Sequence, residues 1–320
     1  MLVAISAALA AEPADEPWEF DWILSRVSYD RVGLELEPAP LELLVESRVA
    51  LGQAREIYDR DQAAWHSSDV LVEAGINDLS GWITGEWRED RVGIHWLRDT
   101  EAGPMSVFFA EYSTADGSIR WPDPGRSLDA PSQPKPLPAG LNERWKCRQG
   151  AVAALGQQIP RFTKSSPNFV VTARDGAPYI YVMPPVWEEG EWLFGATTAW
   201  ICPKGGEPRA EPLSGILLGI PEASEHQPYI HQLGSSEIPQ PHWSFQSRHS
   251  KRAVLVRAGQ SIWQVEGPEQ RWLGRIPRTE AQARREIRKA DKKRDRVIRR
   301  GAKGASSAPS PADSPADPAP

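Results

Sequence analysis

Sulfur and long apolar runs are scarce in this chain. Its 320 residues include two cysteines, Cys147 and Cys202, and no C-x-x-C spacing, so no zinc site is built on thiolates. The two either pair, as in an exported protein, or stay as buried thiols, as in the cytosol. No apolar run approaches the roughly 20 residues of a membrane-spanning helix, so a bilayer span is not expected. Walker A, G-x-G-x-x-G, G-x-S-x-G and kinase signatures are missing, which argues against nucleotide-dependent chemistry and the common serine hydrolases. The body also lacks a basic stripe with interleaved aromatics, so no specific nucleic-acid ligand is expected.

Charge is unevenly spread. The 42 residues from Thr279 carry 11 Lys and Arg against 6 Asp and Glu, leaving a net charge of -11 on the preceding body. The acidic body suits no polyanion, whereas the basic end could contact an anionic surface or the body itself. Prolines number 30, and six of them fall in "WPDPGRSLDAPSQPKPLP", which cannot hold a regular element and reads as a linker over 121–138.

The opening "MLVAISAALAAEP" has a small apolar run and an Ala-Leu-Ala step of the kind signal peptidase cleaves after. Residues 1–10 read as the remnant of a secretory signal, which implies a periplasmic or secreted protein. A short apolar N-terminal helix is the plain alternative.

Secondary-structure patterning predicts an α+β fold with two main helices on antiparallel sheet. After a polar lead-in, a helix is expected over Pro40–Ala74, with Ala50, Ala54, Ile57, Asp61, Ala64, Ser68 and Leu71 on its buried face. Residues 11–120 read as this helix plus an antiparallel meander whose last turn is Asp116-Gly117. Residues 139–278 read as a second helix, Leu141–Gln157, plus a β-rich subdomain in which "EWLFGATTAWI" and "HWSFQS" are strands. A basic helix over 279–300 and an Ala/Ser/Pro tail over 301–320, too polar to order, complete the chain.

Four of the six histidines lie between Glu225 and His249: His226, His231, His242 and His249. Their spacing fits no helical or strand metal motif, so a divalent-metal site depends on the tertiary fold and no cofactor is expected by default. His242 is placed on a strand with Trp243 and Phe245 on the opposite, core-facing side, which sends it to solvent. Asp61 is a candidate general base or a structural partner for backbone amides; His66 and Asp69 lie within side-chain reach of one another on the same helix. Tryptophan occurs 14 times, several times the ordinary frequency. Core packing accounts for most of these, but Trp192, Phe194 and Trp200 share strand parity and form a candidate sugar-stacking platform.

The segment "AREIYDRDQAAWHSSDVL", with "GW" at Gly81, resembles a helix of uncharacterised exported bacterial proteins sharing A-x3-Y-x2-D-x-A-A-W-x2-[ST]-D. "PHWSFQSRHSKRAVLV" through "IWQVEG" is similar to their closing strands. The resemblance implies that Asp61, Trp65 and Asp69 are family positions and implies no activity. The reading that follows is a non-enzymatic module binding an envelope component or glycan. Its rivals are a metal-dependent hydrolase using Asp61 or the histidines, and a structural subunit of an envelope assembly. A hydrolase requires His and carboxylate converging in a pocket, and a binding module requires grouped, accessible aromatics.

Overall fold

A computed structural model describes residues 17–121, 134–155, 167–215, 217–224 and 227–305. The signal-like segment, most of the proline-rich stretch, His226 and the Ala/Ser/Pro tail from 306 lie outside the described residues. The fold is α+β. In chain order its elements are α1 (Pro17–Arg31), α2 (Leu41–Glu73), β1 (Gly81–Trp87), β2 (Arg91–Thr100), β3 (Gly103–Ser113), β4 (Ile119–Arg120), β5 (Lys135–Pro136) and α3 (Ala139–Leu155). Then follow β6 (Asn168–Arg174), β7 (Ala177–Met183), β8 (Trp187–Glu188), β9 (Glu191–Gly195), β10 (Thr198–Ile201), β11 (Arg209–Pro212), β12 (Leu217–Pro221) and β13 (Tyr229–His231). The last are α4 (Pro241–Ser250), β14 (Val254–Ala258), β15 (Ser261–Glu266), β16 (Glu269–Arg275) and α5 (Glu280–Ala305). Among the described residues no helix is long and apolar enough to cross a membrane.

Two compact units result. The larger comprises Pro40–Gly259 and Trp263–Arg271; the other comprises the described residues of Met1–Ala39, Gln260–Ile262 and Trp272–Pro320.

In the larger unit, strand alternation decides which helix each side chain meets. On β6 and β7, Val170, Tyr179, Tyr181 and Met183 join Ile57 of α2 and Phe245 of α4 in one cluster. Their neighbours Val171, Ile180 and Val182 point the other way, to Cys147, Ala151 and Leu155 of α3. This is the period of two expected of a strand, and here it covers the β11-β10-β7-β6 sheet on both faces. The same logic runs along β2, where Val92, Ile94 and Trp96 face Ala63 and Leu71 of α2. Leu97 points the other way, to Ile83 and Trp145, and opposite it the register shifts on β3, where Phe108 pairs with Trp96 and Ser106 with Leu97, so that Val107 and Phe108 both join the α2 cluster.

Helix α2 buries a face of small side chains, Ser47, Ala50, Ala54, Ala63, Ala64 and Ser67, which permits close approach to the sheets. Buried Arg60 fixes that approach: its guanidinium donates to Thr84 Oγ1 at 2.8 Å and to the Gly85 carbonyl at 2.9 Å, and pairs with Glu56 at 2.8 Å. Trp96 Nε1 donates to Ser67 Oγ at 3.0 Å. The expected buried face is met except at Asp61 and Ser68, which stay partly accessible.

Cys147 on α3 and Cys202 just beyond β10 form a disulfide, closing a sequence separation of 55. A cross-link of that span restricts the unfolded chain by about 4 kcal/mol in the loop-entropy account.

The segment "HWSFQS" is helix, not strand. Pro241 starts α4 at a position where its missing N–H costs nothing, and Lys251, at φ 55°, ends it in the left-handed conformation. Eight of its ten residues are buried, so no polar face marks a helical period in the sequence. "EWLFGATTAWI" is likewise two strands in two sheets: Gly195 (φ 88°) and Ala196 (φ 44°) turn the chain between β9 and β10.

In the second unit the lead-in is a helix. Trp22 and Ile23 of α1 are fully buried, and Trp22 Nε1 donates to Glu286 Oε2 of α5 at 2.7 Å. Gly274 is required here, since a Cβ on it would stand 3.1 Å from the Trp22 ring. Helix α5 starts at an N-cap as expected, with Gln282 N–H donating to Thr279 Oγ1 at 3.3 Å. Its buried face is made by Ala283 and Ala290 rather than by large apolar residues.

Candidate functional site

A cavity of about 670 Å³ opens in the larger unit, within the range of small-molecule sites. One side is α2, whose Asp61, Ala64, Trp65 and Ser68 recur at three and four residues and so share a helix face. Trp82 of β1 and Asn168 of β6 add a second wall. A third comes from the β8–β9 hairpin, where Trp187 and Trp192 are directly paired across the strands. Direct pairing puts both indoles on one face of the hairpin. The tight turn between them, Glu189 (φ 52°) and Gly190 (φ 89°), has the positive dihedrals that match strand twist in a two-residue connection. Pro185 and Val186 before that hairpin, Glu222 just after β12, and His249 in the last turn of α4 complete the lining.

His249 and Asp61 meet in this cavity. Imidazole Nε2 stands 3.2 Å from Asp61 Oδ2, with the two side chains 9 % and 14 % exposed. The approach has an ion-pair distance but lacks the alignment of a hydrogen bond. The ring is held by aromatic neighbours, with centroids 4.6 Å from Phe245, 4.8 Å from Tyr58 and 6.5 Å from Trp65. Tyr58 is covered in turn by the Arg248 guanidinium at 3.9 Å.

Two devices hold the walls in place. Gln246 of α4 uses both ends of its amide on Gly195: it accepts from the Gly195 N–H at 3.0 Å and donates to the Gly195 carbonyl at 3.3 Å. That links the helix bearing His249 to the strand bearing Trp192. Arg148 of α3 lies over Trp82 at 5.3 Å, Trp145 at 5.2 Å and Phe169 at 5.6 Å. Burial lowers its pKa to about 10, so it remains a cation at neutral pH and grips these rings through their π faces. On the neighbouring turn of α2, Asp59 accepts from Trp87 Nε1 at 3.0 Å, and burial raises its pKa against that hydrogen bond.

The sequence-derived candidates divide sharply. Asp61, His249 and Trp192 come together in the cavity. Phe194 follows Trp192 on β9 but is wholly buried, and Trp200 lies in another sheet, against the disulfide cluster. His66 is exposed and stacks on Tyr112 with centroids 5.7 Å apart; Asp69 is exposed on the same helix outside the cavity lining. His231 on β13 lies 3.0 Å from the Tyr229 hydroxyl. His242, expected at the surface, is fully buried, and neither ring nitrogen has a protein partner. Desolvation, helped by the Arg174 charge, lowers its pKa to about 3. Among the described residues no three His, Cys, Asp or Glu side chains converge as a metal site.

Trp82, Asn168, Trp187 and Glu222 were not legible as site residues. The one available signal was the pair of tryptophans, five apart, flanking "EEGE". Compared with protein-family models, curated proteins and solved structures, the chain matches none.

Proposed function

We propose that the protein is an exported, non-enzymatic module that binds a glycan of the cell envelope in the tryptophan-walled cavity. The observation that carries this reading is the exposure of tryptophan at the site: Trp65 and Trp187 are 61 % and 47 % exposed. Burying a large apolar side chain stabilises a fold by roughly 1.5–3 kcal/mol. Two indoles left in water at one cavity forgo much of that, and a ligand with flat apolar faces recovers it. Asp61, Asn168, Ser68 and Glu222 supply hydrogen-bonding groups beside the rings, the combination a pyranose needs. Export is supported by the Cys147–Cys202 disulfide, a bond that persists in oxidising compartments.

The test is calorimetric titration of the full chain with β-linked oligosaccharides, beside a Trp65→Ala/Trp187→Ala variant. Truncating a tryptophan anchor costs about 1–2 kcal/mol, so the double variant should bind at least tenfold more weakly and fold normally. Absence of binding across neutral, acidic and amino-bearing sugars would sink the reading.

Hydrolysis is the second reading, favoured by the 3.2 Å approach of His249 to Asp61. A carboxylate that orients an imidazole allows it to take a proton from water. On this reading His249→Ala abolishes turnover of a bound sugar while affinity persists; on the binding reading the wild type has no turnover to lose.

A further inference from the structure

The charge of the cavity wall carries a narrower conclusion about the ligand. Its lining includes two carboxylates, Asp61 and Glu222, and no lysine or arginine. His249 is the third ionisable group. Neutral, it leaves the wall at two negative charges; protonated, it leaves one. Either way the side chains that face the ligand space carry net negative charge. Three cations stand next to lining residues without lining the cavity themselves: Arg148 lies over Trp82, Arg248 over Tyr58 beside His249, and Arg252 donates to the backbone carbonyls of Glu222 and Ser224. Arg148 therefore already uses the π surface of Trp82, while Trp65, Trp187 and Trp192 keep accessible ring surface for a ligand. Indole faces attract cations through their quadrupole, most strongly among the aromatic side chains. Carboxylates beside indoles reinforce that preference, because an ammonium can meet the π face and the charge together.

We infer that the cavity selects a sugar carrying a free, protonated amine over its N-acetylated or neutral counterpart. The inference rests on the glycan reading above and adds the charge of the ligand to it. Acetylation removes the positive charge and adds bulk, so it removes the attraction both to the carboxylates and to the rings.

The experiment compares four probes on the full chain at low ionic strength: a β-1,4-linked glucosamine tetramer, its fully N-acetylated form, a β-1,4-linked glucose tetramer, and spermidine. The glucosamine tetramer is expected to bind about tenfold or more tightly than either neutral sugar, with the advantage shrinking as salt rises. Glu222→Gln changes one exposed side chain, leaves folding intact, and should remove much of that advantage. Asp61→Asn should remove more of it. Equal affinity for the three sugars would overturn the charge inference and leave the glycan reading standing. Spermidine binding as tightly as the glucosamine tetramer would overturn the glycan reading and keep only cation recognition. Binding of none of the four overturns both.

Discussion

The β11-β10-β7-β6 sheet has two faces that were built for different ends. Towards α3 it presents Val171, Ile180 and Val182, closed over by Ala151, Leu155 and the Cys147–Cys202 bond. Towards α2 and α4 it presents Tyr179, Tyr181 and Met183, clustered with Phe245; Arg174 lies over the tyrosines, His249 packs on Phe245 and Asp61 meets His249. Arg174 lies 4.1 Å over Tyr179, bonds the Tyr181 hydroxyl, and reaches Gln53 of α2 at 3.0 Å. The first face is mostly apolar and cross-linked, with Arg148 laid over its Phe169. The second is aromatic and polar, and the same two helices line the cavity. Apolar burial and a covalent tie stabilise without needing partners, whereas each polar group on the other face has to be satisfied or tolerated. Stability and recognition are thus divided between the faces of one sheet.

The sharpest way to break that division is to remove the cross-link. A Cys147→Ala/Cys202→Ala variant should lose about 4 kcal/mol of unfolding free energy in urea titrations. Ligand affinity at low temperature should stay within about twofold, because neither cysteine lines the cavity and the grip of Arg148 on Trp82 does not pass through the bond. A matching collapse of affinity would show that the cross-link sets the cavity wall through α3 and Arg148.

Gln246 probes the opposite case, a contact within the polar face that serves position. Gln246→Leu keeps the bulk of the side chain but takes the side-chain acceptor from the buried Gly195 amide and leaves its carbonyl with the Thr197 hydroxyl alone, which costs about 1–3 kcal/mol. It should also weaken ligand binding, since the bond joins the element carrying His249 to the one carrying Trp192. Lost stability with unchanged affinity would mean that α4 and β9 keep their places without it.

Legibility in the sequence followed the same division. The aliphatic alternation of β6 and β7, the small-residue face of α2 and the Asp116-Gly117 turn are local signals, and the structure follows them. Helix α4 has no such signal, because burial on nearly all sides erases the period that marks a helix and lets "HWSFQS" mimic a strand's alternation. Helix α1 lies in a stretch whose polar character hides it, although Trp22, Ile23 and Val27 have helical spacing, whereas the basic helix expected over 279–300 is present as α5, its buried face made of alanine. At the site, Asp61 could be singled out because it interrupts a face of small residues, and Trp192 because of its strand. Their meeting with His249, 188 positions further on than Asp61, follows from the packing of α4 against α2. No spacing rule reaches that far.

His242 gives the finest comparison, because it and His249 stand at opposite ends of one ten-residue helix. His249 has a carboxylate at 3.2 Å; His242 has two buried nitrogens without protein partners and a pKa lowered to about 3 by desolvation. In the folded protein His242 therefore stays neutral through the mildly acidic range. In the unfolded chain it takes up a proton below its ordinary value near 6.5. The unfolded state then binds more protons, so stability is complete above that value and is lost as pH falls from about 6.5 towards 3. A single such group contributes a slope of up to about 1.4 kcal/mol per pH unit across that window. His242→Leu removes the group without orphaning another, so urea midpoints of the variant should fall less between pH 7 and pH 4.5 than those of the wild type. The carboxylates titrate alike in both proteins, so the difference between the two slopes isolates this histidine. Parallel slopes would mean that His242 gains a partner or solvent access that its burial in α4 does not provide, and the contrast between the two ends of the helix would fail.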